Sequence, residues 1–183
     1  MIWGCFQFSQ GFSNYLPTLL EQRGVGKHSL YPTLLINAAC GVPGKMGGGV
    51  LIECFGRRRT IGASIGVTSL CLLGFAFFES PTLLVVLSSG VTMMLSLCVG
   101  ALAVYTNEAF PTEVRSTGLA INNVSRSVIG LGGPYFCGLY ATSDPQLALV
   151  VFAVSAFVGA VTAACLPIET KGQRLMDRAA GSE

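Results

Sequence analysis

Residues 83–104 read LLVVLSSGVTMMLSLCVGALAV, 22 residues without a formal charge. About twenty mostly apolar residues in a helix cross the hydrocarbon core of a bilayer. Apolar and polar positions do not alternate here with period two, as they would in the strand of a transmembrane barrel. Only helices and closed barrels satisfy their backbone polar groups in lipid, so this run reads as a helical span. Working outward, comparable stretches occupy residues 2–20, 29–52, 60–78, 116–140 and 146–166, and together they fill almost all of the 183-residue chain. The expectation is an all-α integral membrane bundle of six transmembrane helices over residues 1–166, followed by a polar tail, residues 167–183.

Composition agrees. Apolar residues make up 51% of the chain and charged residues 11%, and mean hydropathy is +0.63. A soluble domain carries about 25% charged residues. The net charge of +2 says little, but the placement of the cations says more. Arg57, Arg58 and Arg59 fall between the second and third stretches, Arg115 between the fourth and fifth, and Lys171, Arg174 and Arg178 in the tail. The alternate loops hold only Arg23 and Lys27, and Lys45 and Arg126 lie within helices. The positive-inside rule then puts the 53–59 loop, the 107–116 loop and the C-terminus in the cytoplasm, in a plasma or organelle membrane. The seven cysteines are scattered through or at the ends of the apolar stretches without a CxxC pair, so they read as small buried hydrophobes, not as disulfides or zinc ligands. Met1 runs straight into an apolar stretch, without the basic segment and cleavage site of a signal peptide.

The connections are short and rich in turn residues, as in Arg23-Gly24-Val25-Gly26, Glu79-Ser80-Pro81 and Ser143-Asp144-Pro145, and none has room for a soluble domain. Gly44/Gly48 and Gly62/Gly66 are spaced four apart, which puts bare backbone on one helix face and favours close packing. The most informative connection is Gly49-Val50-Leu51-Ile52-Glu53-Cys54-Phe55-Gly56-Arg57-Arg58-Arg59. It presents a carboxylate, a glycine free to take a turn barred to other residues, and three cations. A stop-transfer cluster would account for the arginines alone, not for the spacing of Glu53 and Gly56.

This run resembles the signature loop of the major facilitator superfamily, with Cys54 where the family usually has arginine. Glu108-Ala109-Phe110-Pro111-Thr112-Glu113-Val114-Arg115 resembles that family's second cytoplasmic element, and Pro167-Ile168-Glu169-Thr170-Lys171-Gly172 its element after the last helix, with one extra isoleucine. The resemblance covers the whole chain and corresponds to the C-terminal six-helix half of a twelve-helix transporter. It implies that Gly49, Glu53, Gly56, Arg57, Arg58, Glu108, Arg115 and Glu169 belong to cytoplasmic gating motifs, which lock neighbouring helices and break during alternating access. Solvated loop charge is the plainer alternative. The run from Tyr105 to Tyr135 is most similar to the organic-ion, niacin and synaptic-vesicle-related branch, and some motifs are sugar-porter-like.

Polar residues inside the spans supply the candidate substrate cavity. Gln7, Gln10 and Asn14 fall at helical spacing on one face of the first stretch, and Asn123 and Arg126 form a similar stripe in the fifth. A charge at the bilayer centre costs at least about 2.5 kcal/mol. Arg126 therefore needs an anionic substrate, a carboxylate or several carbonyls, or it is a structural residue bonded to neighbouring helices or snorkelling to the cytoplasm. Lys45, near Pro43, is expected to snorkel, and Ser88, Thr92 and Ser96 are expected to bond between helices.

Enzymatic function finds no support. His28 is the only histidine, no pair of carboxylates lies within the spans, and no metal-binding, nucleophile-elbow or phosphate-loop motif occurs. The expected partners are the lipid bilayer and a small organic solute; no cofactor, metal or nucleic acid is implied. The leading expectation is a carrier, or its C-terminal half, that moves a small organic ion by alternating access as a uniporter or ion-coupled carrier. A sugar or polyol porter is one alternative. A truncated, non-transporting chain is another, as is a half-subunit that needs a missing N-terminal half or a homodimer partner. Of these, a fragment or truncated product is the preferred reading of the chain itself.

Overall fold

The computed structural model describes residues 2–23, 27–78, 80–109, 115–140 and 145–165. Among them run helices α1 (Ile2–Ser9), α2 (Gly11–Gln22), α3 (Lys27–Phe55), α4 (Arg57–Phe77), α5 (Pro81–Ala109), α6 (Arg115–Tyr140) and α7 (Pro145–Ala164). The five later helices match the five later apolar stretches within a few residues. The first stretch has one irregular turn. At Gln10, whose φ of −62° and ψ of −21° stay helical, the amide of Ser13 bonds the Gln10 carbonyl at 3.0 Å, a local tightening to the i→i+3 pattern. Gly11 follows, and its bare backbone lies against Gly133 of α6, where an added Cβ would sit a tight 3.1 Å from the Gly133 Cα.

Side-chain contacts fix how the helices run. Cys5, Ser9 and Gly11 meet Gly159, Ser155 and Phe152 in descending order, so α1–α2 and α7 are antiparallel. Gly62 and Ser69 meet Ala163 and Ala153, which makes α4 and α7 antiparallel as well. Numbers rise together along α3 and α5, from Asn37 beside Ser88 to Gly48 beside Leu97, so these two are parallel. The same holds for α1–α2 and α6, from Gly4 at Ile129 to Gly11 at Gly133. With α1–α2 counted as one pass, odd passes run one way and even passes the other, as in a six-pass bundle. The Gly56 turn and the start of α6 therefore share one end with the start of α1.

Among the described residues, four passes are by themselves long and apolar enough to cross a membrane: Ser29–Phe55, Arg57–Phe77, Pro81–Asn107 and Gln146–Ala164. The helical bundle expected from the sequence stands, with two passes less apolar or less regular than the rest: the first is divided into α1 and α2 at Gln10, and asparagines, serines and Arg126 lower the hydropathy of α6. Those are also the two passes that carry the polar stripes.

The bundle buries Phe6, Phe12, Phe75 and Phe152 completely or nearly so, with Phe12 edge-on to Phe75 at 5.2 Å. Its outer surface is apolar too: Leu35, Met46, Leu70, Leu131 and Phe157 are each at least 60% exposed. Exposed apolar area of this extent marks a surface made for lipid or for another protein. Hydroxyls are turned back onto helix carbonyls, as in Thr33 to Ser29 at 2.7 Å and Thr68 to Ser64 at 2.8 Å. Among the described residues no buried side-chain polar atom lacks a hydrogen-bond partner.

Candidate functional site

The two polar passes pack directly on each other. Gln7 lies so close to Gly130 that a Cβ there would sit 2.7 Å from its Cγ, so Gly130 is what admits the amide. Beside this contact, the Arg126 guanidinium stacks over the Trp3 ring, 5.2 Å from its centroid. Trp3 is the only tryptophan in the chain. Its indole N–H donates to the Thr106 hydroxyl at 3.0 Å, and that hydroxyl donates to the Leu102 carbonyl at 2.6 Å. One connected path thus joins α6, α1 and α5. Arg126 stands about 16 Å along α6 from its first residue, close to mid-helix. A half-buried cation there is held by the negative face of an indole, a partner worth about 2 kcal/mol when desolvated. The sequence reading did not name Trp3; its solitary place at the start of a membrane pass was the available signal.

The predicted cavity residues are only partly brought together. Gln7 and Arg126 share the α1–α6 seam. Gln10 is half-buried at the tightened turn between α1 and α2, while Asn14 and Asn123 are exposed. Gln10 keeps helical backbone angles between Gln7 and Asn14, with φ of −62° and ψ of −21°. The Asn123 carbonyl accepts the Ser127 hydroxyl at 2.9 Å within α6.

A second polar group was not foreseen. Asn37 of α3, only 3% exposed, accepts the Ser89 hydroxyl of α5 at 2.6 Å and donates to the Ser88 hydroxyl at 3.3 Å. Ser88 does bond between helices, as expected. Ser96 meets α3 at Gly41, and the Thr92 hydroxyl stays within α5 on the Ser88 carbonyl. Below Asn37 the α3–α5 seam is made of backbone. A Cβ on Gly44 or Gly48 would come within 2.5 Å of the Met93 or Leu97 carbonyl oxygen, and one on Gly100 within 2.9 Å of the Lys45 oxygen. The Gly44/Gly48 spacing therefore serves close packing, as read from the sequence, and Lys45 is exposed.

At the shared end, α3 turns into α4 at Gly56, whose φ of 91° and ψ of 157° lie in an extended region open only to glycine. The Thr60 hydroxyl seals the turn by donating to the Gly56 carbonyl at 2.8 Å. Glu53 and Arg58 are exposed, Arg57 is half-buried and partnered, and Gly49 faces open space. Glu108 and Arg115 sit at the facing ends of α5 and α6, but their side chains, and all of Glu169, lie outside the described residues. At the opposite end Arg23 clamps α2 to α4, donating to the Phe78 and Ala76 carbonyls at 3.0 and 2.9 Å and lying over the Phe75 ring. Among the described residues no cluster of histidine, cysteine and carboxylate side chains could hold a metal ion.

Comparison with known proteins follows the same lines. The sequence model of the Major Facilitator Superfamily matches residues 1–180. The chain is 24% identical to organic cation/carnitine transporter 7 of Arabidopsis thaliana, an alignment covering 100% of this chain and 40% of that protein. It is 29% identical to solute carrier family 22 member 6 of Rattus norvegicus, over 97% of this chain and 31% of the relative. It is also 29% identical to the synaptic vesicle 2-related protein of the same species, over 69% of this chain and 23% of the relative. The chain thus spans well under half the length of these relatives.

Proposed function

The chain belongs to the major facilitator superfamily, and from that premise we propose that it forms the second six-helix half of an alternating-access carrier for a small organic ion. The observation that carries this reading is Arg126, a mid-helix cation on a pass too polar to be a simple lipid-facing span, packed against the other polar pass. Gln7, Gln10 and Arg126 line the cavity wall, and Asn14 and Asn123, exposed on this half, meet substrate or the opposite half. A cation on the wall favours an anionic substrate. The names of the relatives include both an organic cation/carnitine transporter and a solute carrier, and they support an organic solute more than a sugar. At the other level, Glu53, Arg57, Arg58, Glu108, Arg115 and Glu169 form a cytoplasmic charge lock with Gly49 and Gly56 in its hinge. Ion pairs near the interface are worth about 0–1 kcal/mol each, small enough to be made and broken in each cycle.

The relatives are about two and a half to four times as long as the stretch this chain matches, so two readings follow: part of a longer polypeptide, or a half-subunit that needs a partner. An antibody to residues 167–183 separates the two. A native product near 19.1 kDa makes the chain a half-transporter that pairs with a second chain, and a much larger one makes it part of a longer polypeptide. Transport is then tested with that native product in proteoliposomes, using benzoate, tetraethylammonium and glucose as probes. The expected result is saturable benzoate uptake that Arg126→Gln abolishes and Arg126→Lys partly retains. Glucose uptake indifferent to Arg126 would move the assignment to the sugar-porter alternative.

A further inference from the structure

A crevice of about 280 Å³ opens on the outer surface of the bundle where α3, α4 and α5 meet. It is lined by Leu51 and Phe55 of α3, Met94 and Leu97 of α5, and the stretch of α4 from Arg59 to Val67. Two of the lining residues, Thr60 and Ser64, carry hydroxyls, but neither has a proton left to donate to a ligand. Each is buried and donates to a carbonyl of the protein, Thr60 to Gly56 at 2.8 Å and Ser64 to Ile61 at 2.9 Å. The crevice is therefore an apolar slot with a single cation, Arg59, at its mouth beside the Gly56 turn.

We propose that this crevice is a binding site for one anionic phospholipid, with an acyl chain in the slot and the headgroup phosphate on Arg59. Three observations select this occupant. The rim residues Ala63 and Val67 are exposed on an apolar surface, so the slot opens laterally to lipid. Arg59 to Val67 spans about 12 Å along α4, most of the roughly 15 Å depth of one leaflet. The cation stands at the interfacial end, next to exposed Arg58, where a phosphate lies, and the apolar walls run inward from it. A polar solute would find no free hydrogen-bond donor below Arg59, and an apolar second helix would bury the guanidinium without a partner. The site is separate from the α1–α6 seam and does not depend on which solute is carried.

The test uses the 183-residue chain in phosphatidylcholine bilayers with spin-labelled phosphatidylserine or phosphatidylcholine, reading the motionally restricted fraction. Phosphatidylserine is expected to associate about fivefold more strongly, the factor one basic residue near a membrane surface is worth. Arg59→Gln should remove most of that preference and Arg59→Lys should keep it. Ala63→Trp, which fills an exposed rim position without touching the core, should lower the restricted fraction of both lipids. Equal association of the two lipids, or a preference unchanged by Arg59→Gln, overturns the proposal. A preference that Arg59→Gln removes but Ala63→Trp leaves intact also overturns it, because it shows diffuse attraction by the arginine run without a seated acyl chain.

Discussion

Replacing Trp3 by leucine removes two things: the π face under Arg126 and the N–H bonded to Thr106. The guanidinium lies 5.2 Å from the ring centroid, inside the roughly 6 Å range of an effective cation–π contact. Both residues are half-buried, so the contact should be worth about 1–2 kcal/mol, between the exposed and the desolvated limits. The hydrogen bond adds about 1 kcal/mol. Trp3→Leu is therefore expected to destabilise the bundle by about 2–3 kcal/mol. Arg126→Met should cost far less and can even stabilise, because it also removes the penalty of at least about 2.5 kcal/mol for a charge at mid-membrane. In the double variant the Thr106 bond is lost just as in Trp3→Leu alone, so the cycle isolates the ring–cation term. Reversible unfolding of the four proteins in mixed detergent micelles gives the coupling directly. A coupling of about 1–2 kcal/mol, with the larger loss on the tryptophan side, is the expected result. Additivity within about 0.3 kcal/mol would show that Arg126 does not depend on the indole, and the account of how this charge is kept in the membrane would fail.

Other expectations are simpler. Gly48→Ala should destabilise by about 1–3 kcal/mol, since its Cβ would meet the Leu97 carbonyl oxygen at 2.5 Å. Gly47→Ala, which meets open space, should be near neutral in the same unfolding assay. Gly56→Ala should cost about 1–3 kcal/mol through the backbone alone, and Gly56→Asn should fare no better, because asparagine tolerates the left-handed helical region but not φ of 91° with ψ of 157°. Asn37→Leu leaves Ser88 and Ser89 with their own-helix bonds to the Val85 carbonyl, so a loss of only about 0.6–1.7 kcal/mol is expected in the thermal midpoint series.

Length and hydropathy were enough to read the helical membrane bundle, because lipid leaves the backbone few choices. The alternation of cations between loops also anticipated which turns share an end. The close approach of Gly11 to Gly133 was not legible, because it joins residues more than a hundred positions apart. The same limit applied to Arg126. Its need for a partner followed from its charge, but the partner on offer was an aromatic face, not an anion or a carbonyl. Asn37 escaped notice because one asparagine in an apolar stretch carries no periodic signal, and only the register of α3 against α5 sets it opposite two serines. Gly44 and Gly48 were readable since small-residue spacing is itself the pattern of close helix contact. For Glu108, Arg115 and Glu169 the motifs remain the guide.

The glycine seam between α3 and α5 bears on how this chain can vary. In a water-soluble bundle, large interior side chains resist replacement and the surface accepts almost any polar residue. Here the outer positions, such as Leu35, Leu70 and Leu131, should accept any apolar side chain and reject charge. Gly44, Gly48 and Gly100 should reject every side chain, because the neighbouring backbone already fills the space. A saturation scan would therefore find its least permissive positions where the residue has the fewest atoms, and related sequences would drift widely in their large residues while keeping these small ones.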